Sequence, residues 1–209
     1  ADSIYRITNH EKAISLQLNH AVLRLESIKR FLLQDSLTIS TFHFESPHLT
    51  VWNYTHQKLK KDPRLQLQQI LKKYTSEFMV DSFTVDHASL NYHSYSKKDF
   101  YTHKIPDLSI YLKQVLINDR IEEDNLLFTP EYDISINDYL YTESIHTLKI
   151  GNLHAKGGQK RVTLSNVLYE KEGKTIINLP LTTIVKPQVA YYVYQHKIIL
   201  DSLLFYNPK

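Results

Sequence analysis

Eleven histidines stand in a chain of 209 residues that has no cysteine. Disulfides, thiolate nucleophiles and thiolate-bound metals are therefore excluded, and any metal centre would rest on imidazole and carboxylate. His43, His48 and His56 fall in one region, His87 and His93 in the next. His43 lies between Phe42 and Phe44, so on an extended chain it points away from the phenylalanines, towards the polar face. His87 and His93 are six residues apart with a kink between them, and neither HxH nor HExxH spacing occurs. These histidines read as sheet or turn residues, and no metal ligand is expected. Asp119, Glu122, Glu123 and Asp124 cluster around Arg120 in what reads as a solvated loop. The serines lack a G-x-S-x-G elbow, and four glycines leave no phosphate-binding loop. The sequence predicts no catalytic residue, no cofactor and no enzyme.

With no chemistry to position, the elements themselves carry the information. Forty-two per cent of the residues are hydrophobic, and fifteen tyrosines and eight phenylalanines outnumber the turn breakers. That composition supports a core and long strands. The net charge of +3 is spread over interspersed acids and bases, so no basic stripe invites nucleic acid. No apolar run is long enough for a membrane helix. Ile14, Leu16 and Leu18, then Val22, Leu23 and Leu25, follow the alternation of strand residues; so do Ile105 to Ile117, Tyr132 to Ile136 and Val162 to Tyr169. A register shift is expected near Asn137 and Asp138. Lys156 to Gln159 and Lys171 to Lys174 read as hairpin turns with glycine supplying positive φ, and Pro180 and Pro187 bracket an edge or bulged strand. "AYYVYQ", residues 190–195, reads as a strand packed on both faces. One amphipathic helix is predicted over residues 60–78, with Asp62 as its cap, Pro63 in its first turn, and Leu67, Ile70, Leu71, Tyr74 and Phe78 on one face.

The most informative pattern is a repeated spacing. Ile39, Phe42, Phe44, Pro47, Leu49 and Val51 recur forty-one residues on as Val80, Phe83, Val85, Ala88, Leu90 and Tyr92. Ile145, Leu148, Ile150, Leu153 and Ala155 fit the same template, and so do Leu200, Leu203, Phe205 and Pro208. Steps of two keep a side chain on one face of a strand. A step of three keeps it there only if a bulge or bend intervenes. Each copy thus predicts a bent strand carrying one continuous apolar stripe. The fold expected is mainly β: an extended, twisted, mostly antiparallel sheet curled into a groove or open sandwich, with one short amphipathic helix. A single β-rich domain is expected over residues 1–209, as a segment of a longer repeat-built protein.

The phrase I-x-x-F-x-F-x-x-P-x-L-x-V, with "DSFTVDHASLNY" and "HTLKIGNLHAKGG", resembles the AsmA-like family of bacterial envelope proteins, particularly its large Bacteroidota members. The resemblance implies a periplasmic β-groove lined with apolar residues, an inner-membrane anchor outside this chain, and handling or conduction of lipids in envelope homeostasis. On that reading, lipid acyl chains are the partner. The stripe residues Phe42, Phe44, Leu49, Val51, Phe83, Val85, Leu90, Tyr92, Leu148 and Ile150 are the candidate lipid contacts. The alternative is a structural or protein-interaction β module of an envelope assembly, in which the stripes meet each other instead of a lipid.

Overall fold

The computed structural model describes residues 3–8, 12–26, 28–54, 69–71, 73–95, 100–118, 129, 131–187 and 200–207. Its strands are β1 (Ser3–Thr8), β2 (Lys12–Leu18), β3 (His20–Leu25), β4 (Ser36–Glu45), β5 (His48–Asn53), β6 (Glu77–Tyr95), β7 (Phe100–Ile117), β8 (Glu131–Glu143), β9 (His146–Lys156), β10 (Arg161–Lys171), β11 (Lys174–Val185) and β12 (Ser202–Tyr206). All twelve belong to one sheet, which is open and does not close into a barrel. Pairing is antiparallel except where β4 and β5 run parallel to β6.

Four of these strands are halves of two longer ones. β2 and β3 are separated only by Asn19, and β4 and β5 by Ser46 and Pro47. β2 pairs with β5 and β3 with β4, while β4 and β5 lie end to end along β6. Backbone bonds bridge the break: the Ser46 amide donates to Asp86 and the Ser89 amide to Pro47. The forty-one-residue repeat is therefore a register. Ile39 pairs with Val80, Phe42 with Phe83, Phe44 with Val85, Leu49 with Leu90 and Val51 with Tyr92.

The steps of three are creases that run across the sheet from strand to strand. The first crosses β4, β6 and β7, where Ser40, Asp81 and Gln114 drop out of the ladders and Gln114 takes φ +54°. The second crosses eight long strands. It passes Asn19, Ser46 (φ +47°), His87 (φ +51°), the offset between Ile105 and Leu108, Asp138 (φ +57°), Gly151, Asn166 (φ +54°) and Pro180. A bulge in one strand shifts its side-chain alternation, and the neighbour stays in step only by bulging at the same level. The crease is stitched by side chains: Asn152 Nδ2 donates to Asn137 Oδ1 at 2.7 Å, and Asn137 Nδ2 to Asp107 Oδ2 at 2.7 Å. Asp107 Oδ1 accepts from His87 at 3.0 Å.

Gly151 is required where it lies on this crease. A Cβ there would come within 3.0 Å of Asn166 Cβ and 3.1 Å of its Nδ2. Gly151→Ala should cost about 1–3 kcal/mol by overpacking, measured by urea unfolding. Asn166→Gly in the same chain should recover most of the loss, because it removes the obstructing side chain and suits the left-handed backbone. A single variant as stable as wild type would refute the contact.

The closed core sits at one end of the sheet. Ile39, Val80, Leu112, Val115 and Ile117 are buried together, with Phe42, Leu71, Phe78, Phe83, Ile110 and Tyr132 packed around them. Leu71 belongs to a helical turn at residues 69–71. Just beyond it, the Thr75 hydroxyl lies 2.7 Å from the Asp35 carbonyl, which also accepts from the Ser76 amide at 2.9 Å. These bonds pin the start of β6 to the start of β4.

Several local expectations change. Of the helix predicted over residues 60–78, most lies outside the described residues, including Asp62, Pro63 and Leu67. Its predicted end is corrected: Phe78 belongs to β6 and pairs with Ile117, because the chain turns out of helix at Thr75 and Ser76. A helix that the alternation did not reveal, α1 (Ile28–Gln34), lies between β3 and β4. At seven residues it is too short to show a period. In the 171–174 hairpin Glu172 and Gly173 both take positive φ, as a two-residue turn demands. In the 156–160 turn the positive φ falls on Lys160, not on a glycine. The third and fourth template copies are not equivalent to the first two. Ile145 lies in a turn, β9 runs antiparallel to its neighbours, and Leu200 precedes β12. They fit the template because their strands cross or approach the same crease. The 190–195 segment and Pro208 lie outside the described residues.

Candidate functional site

Side chains directly opposite one another across a ladder share a face. Applied strand by strand, the pairings put all ten stripe residues on the same side of the sheet. Phe42, Phe83, Leu112 and Tyr132 form one row across four strands. The next row is Phe44, Val85, Ile110, Ile134, Ala155, Val162, Ile184 and Leu203, from β4 to the β12 edge. At the second crease come Ala88, Leu108, Ile136, Leu153 and Leu164. Beyond it lie Leu16, Leu49, Leu90 and Ile105, and in the other half Tyr139, Ile150, Val167 and Leu179.

The face is broad. Eight strands at about 4.8 Å spacing span about 34 Å, and Phe78 to Leu90 along β6 spans about 40 Å at about 3.3 Å per residue. The apolar area is on the order of 1,000 Å², about twice the largest patch on an ordinary soluble monomer. Away from the end core many of its larger side chains are half-buried: Phe44, Leu49, Val51, Leu90, Leu148 and Ile150 have neighbours beside them but no described layer above. Val85 is the exception among the ten, 8% exposed between Phe44 and Ile110. Among the described elements the substantial contacts join hydrogen-bonded neighbours, with α1 set against β4.

One further row changes the character of the face. Val51, Tyr92, His103, Tyr141, Leu148 and Tyr169 stand side by side, so hydrocarbon gives way to rings with polar tips. His103 and Tyr141 have ring centroids 4.9 Å apart, and Tyr101 and Tyr92 lie 6.1 Å apart. The Tyr139 hydroxyl is 2.8 Å from His103 Nδ1, Asn53 Nδ2 donates to the Tyr92 hydroxyl at 3.0 Å, and Tyr141 donates to Glu143 at 2.5 Å. Burial, then the Glu143 carboxylate, pushes the Tyr141 phenol well above its usual range. Burial pushes the His103 imidazole down. The row is therefore a band of neutral hydrogen-bonding groups above a hydrocarbon floor.

Neutral His103 has a pH consequence. Its folded pKa lies below the unfolded value of about 6.5, so the unfolded chain binds the extra proton. Its contribution to stability is complete above about pH 6.5 and is lost as pH falls from there through the lowered folded pKa. Urea midpoints for wild type should drop between pH 7.5 and pH 5 more than those of His103→Gln. Parallel pH profiles for the two proteins would contradict it.

The opposite face is charged. His154 lies 2.7 Å from Asp133, His87 3.0 Å from Asp107, and Lys149 3.0 Å from Glu170. An open depression of about 210 Å³ on this side is lined by Asp86, Ser109, Ile110, Tyr111, Asp133 and Ser135. His43 faces this side as its place between Phe42 and Phe44 requires, His48 bonds to Ser89, and His93 stacks on Trp52 at 6.1 Å. His56 and the acidic residues from 119 to 124 lie outside the described residues. Sequence reasoning missed the Tyr92–His103–Tyr141 row beyond Tyr92, because its members come from separate strands. It also missed the approach of His20 to His43, which rests on the pairing of β3 with β4. A comparison with protein-family models finds no match for the chain, and a comparison with characterised proteins finds none either.

Proposed function

We propose that this chain is a non-enzymatic β-groove segment of an AsmA-like envelope protein that carries lipid acyl chains along its apolar face in the periplasm. The observation that supports this reading is the one face that is hydrocarbon over eight strands, lacks a described covering layer and ends in a tyrosine–histidine row. An acyl chain lying across the rows from Phe44 to Ile150 gains about 0.8 kcal/mol for each methylene removed from water. The neutral tips of Tyr92, His103 and Tyr141 suit the ester and glycerol groups that follow the hydrocarbon, as aromatic side chains do at membrane interfaces.

A second reading, a protein-interaction module without a lipid ligand, is favoured by one feature. The edge strand β12 leaves Leu203, Leu204, Phe205 and Tyr206 between 42% and 50% exposed, which would suit strand addition by a partner. Native mass spectrometry and organic extraction of protein purified from a Gram-negative envelope separate the two. The lipid reading requires bound phospholipid that Phe44→Asp removes. Lipid-free protein that binds no vesicle-derived phospholipid would leave the interaction reading standing.

A further inference from the structure

We propose that His20, His43, Glu45 and Asp86 form a binding site for a divalent transition metal ion, with Zn²⁺ the best fit, on the polar face of the sheet. Three adjacent strands bring the four together. His20 on β3 pairs directly with Glu45 on β4, Glu45 pairs with Asp86 on β6, and His43 precedes Glu45 by two residues on the same face. One donor atom each from His20, His43 and Glu45 lies within 4.8 Å of the others. His20 Nδ1 is 3.6 Å from Glu45 Oε2, and His43 Nδ1 is 3.7 Å from Asp86 Oδ2.

Those separations are compatible with a shared ion. Two ligands bound to one tetrahedral zinc at about 2.0–2.1 Å each stand about 3.4 Å apart. A hydrogen bond would draw the same atoms closer. The other two histidine–carboxylate pairs on this face close to such distances: 3.0 Å for His87 with Asp107 and 2.7 Å for His154 with Asp133. At the cluster both pairs stand 3.6–3.7 Å apart, a spacing compatible with a shared ion but also found in the Lys156–Asp133 ion pair. What sets the cluster apart is that two imidazoles and two carboxylates converge at one place.

Two imidazoles and two carboxylates select zinc, cobalt, nickel or copper over magnesium and calcium, which prefer all-oxygen sites. His20, His43 and Glu45 supply three ligand atoms within 4.8 Å of one another, and Asp86, 3.7 Å from His43, stands beside them as the fourth that would complete a tetrahedral ion. It lies where β2 breaks into β3 at Asn19 and β4 into β5 at Ser46. An ion there ties β3, β4 and β6 together on one side of the second crease, immediately beside it. The partly exposed side chains, from 26% for His43 to 61% for Glu45, leave a path for the ion to enter.

The test uses untagged, chelator-treated protein titrated with Zn²⁺ by calorimetry and with Co²⁺ by visible absorption. Wild type should bind one equivalent with a tetrahedral cobalt spectrum and gain thermal stability. His43→Gln and His20→Gln should each weaken binding at least ten-fold, and Asp86→Asn should weaken it while retaining the imidazole signature. Affinity should weaken as pH is lowered, because protons compete with the ion for its ligands. X-ray absorption of the zinc-loaded wild-type protein, which needs no variant, should show two imidazoles. Absence of binding, wild-type affinity in the His20→Gln/His43→Gln double variant, or zinc without imidazole scattering would each overturn the proposal. None of these outcomes depends on whether the apolar face binds lipid.

Discussion

Val80→Asp should prevent folding altogether. Val80 is 2% exposed and sits among Ile39, Leu112, Val115 and Ile117, all of them hydrocarbon side chains. A carboxylate there either stays ionised in an apolar site or takes up a proton and leaves its oxygens unbonded. Either route costs several kcal/mol, comparable to the whole stability of an ordinary domain, about 5–15 kcal/mol. The effect should be this large because the end core is small. It is the described sheet's cluster of buried large hydrophobic side chains, and it anchors β4, β6 and β7 together. Circular dichroism and urea unfolding would check it. A Val80→Asp protein with a wild-type midpoint would mean that this cluster does not hold the sheet.

The same charge placed further along the same face should do the opposite: spare the fold and destroy lipid capture. Phe44 and Ile150 are half-buried with no described layer above them, so a carboxylate at either can reach water. Phe44→Asp and Ile150→Asp should therefore keep cooperative unfolding. A carboxylate that displaces about four methylenes from the face removes about 3 kcal/mol, roughly a hundred-fold in affinity. Fluorescent-lipid binding and extracted phospholipid would measure that loss. Unfolding of both variants would show that these rows are a closed core and would sink the lipid reading. Val85 is a poor probe for this purpose, since its burial would confound loss of lipid with loss of fold.

The two substitutions mark where sequence and tertiary structure divide. Alternation is a local steric property of an extended chain, so the apolar side of each strand was legible from residue order alone. The creases were legible for the same reason, because a step of three can hold a stripe on one face only through a bulge. Thus Phe42, Phe44, Leu49 and Val51, with their counterparts from Phe83 to Tyr92, were found as a stripe, and the bend near Asn137 and Asp138 was expected. What residue order could not carry was which strand lies beside which. The parallel register of β4 and β5 on β6 made two template copies equivalent, while antiparallel β9 made the third a by-product of the crease. Pairing also decided which rows close over at Val80 and which stay open at Ile150. It placed His103 beside Tyr141, and His20 beside His43. Those neighbours come from segments far apart in the chain, and only the energy of the assembled sheet selects them.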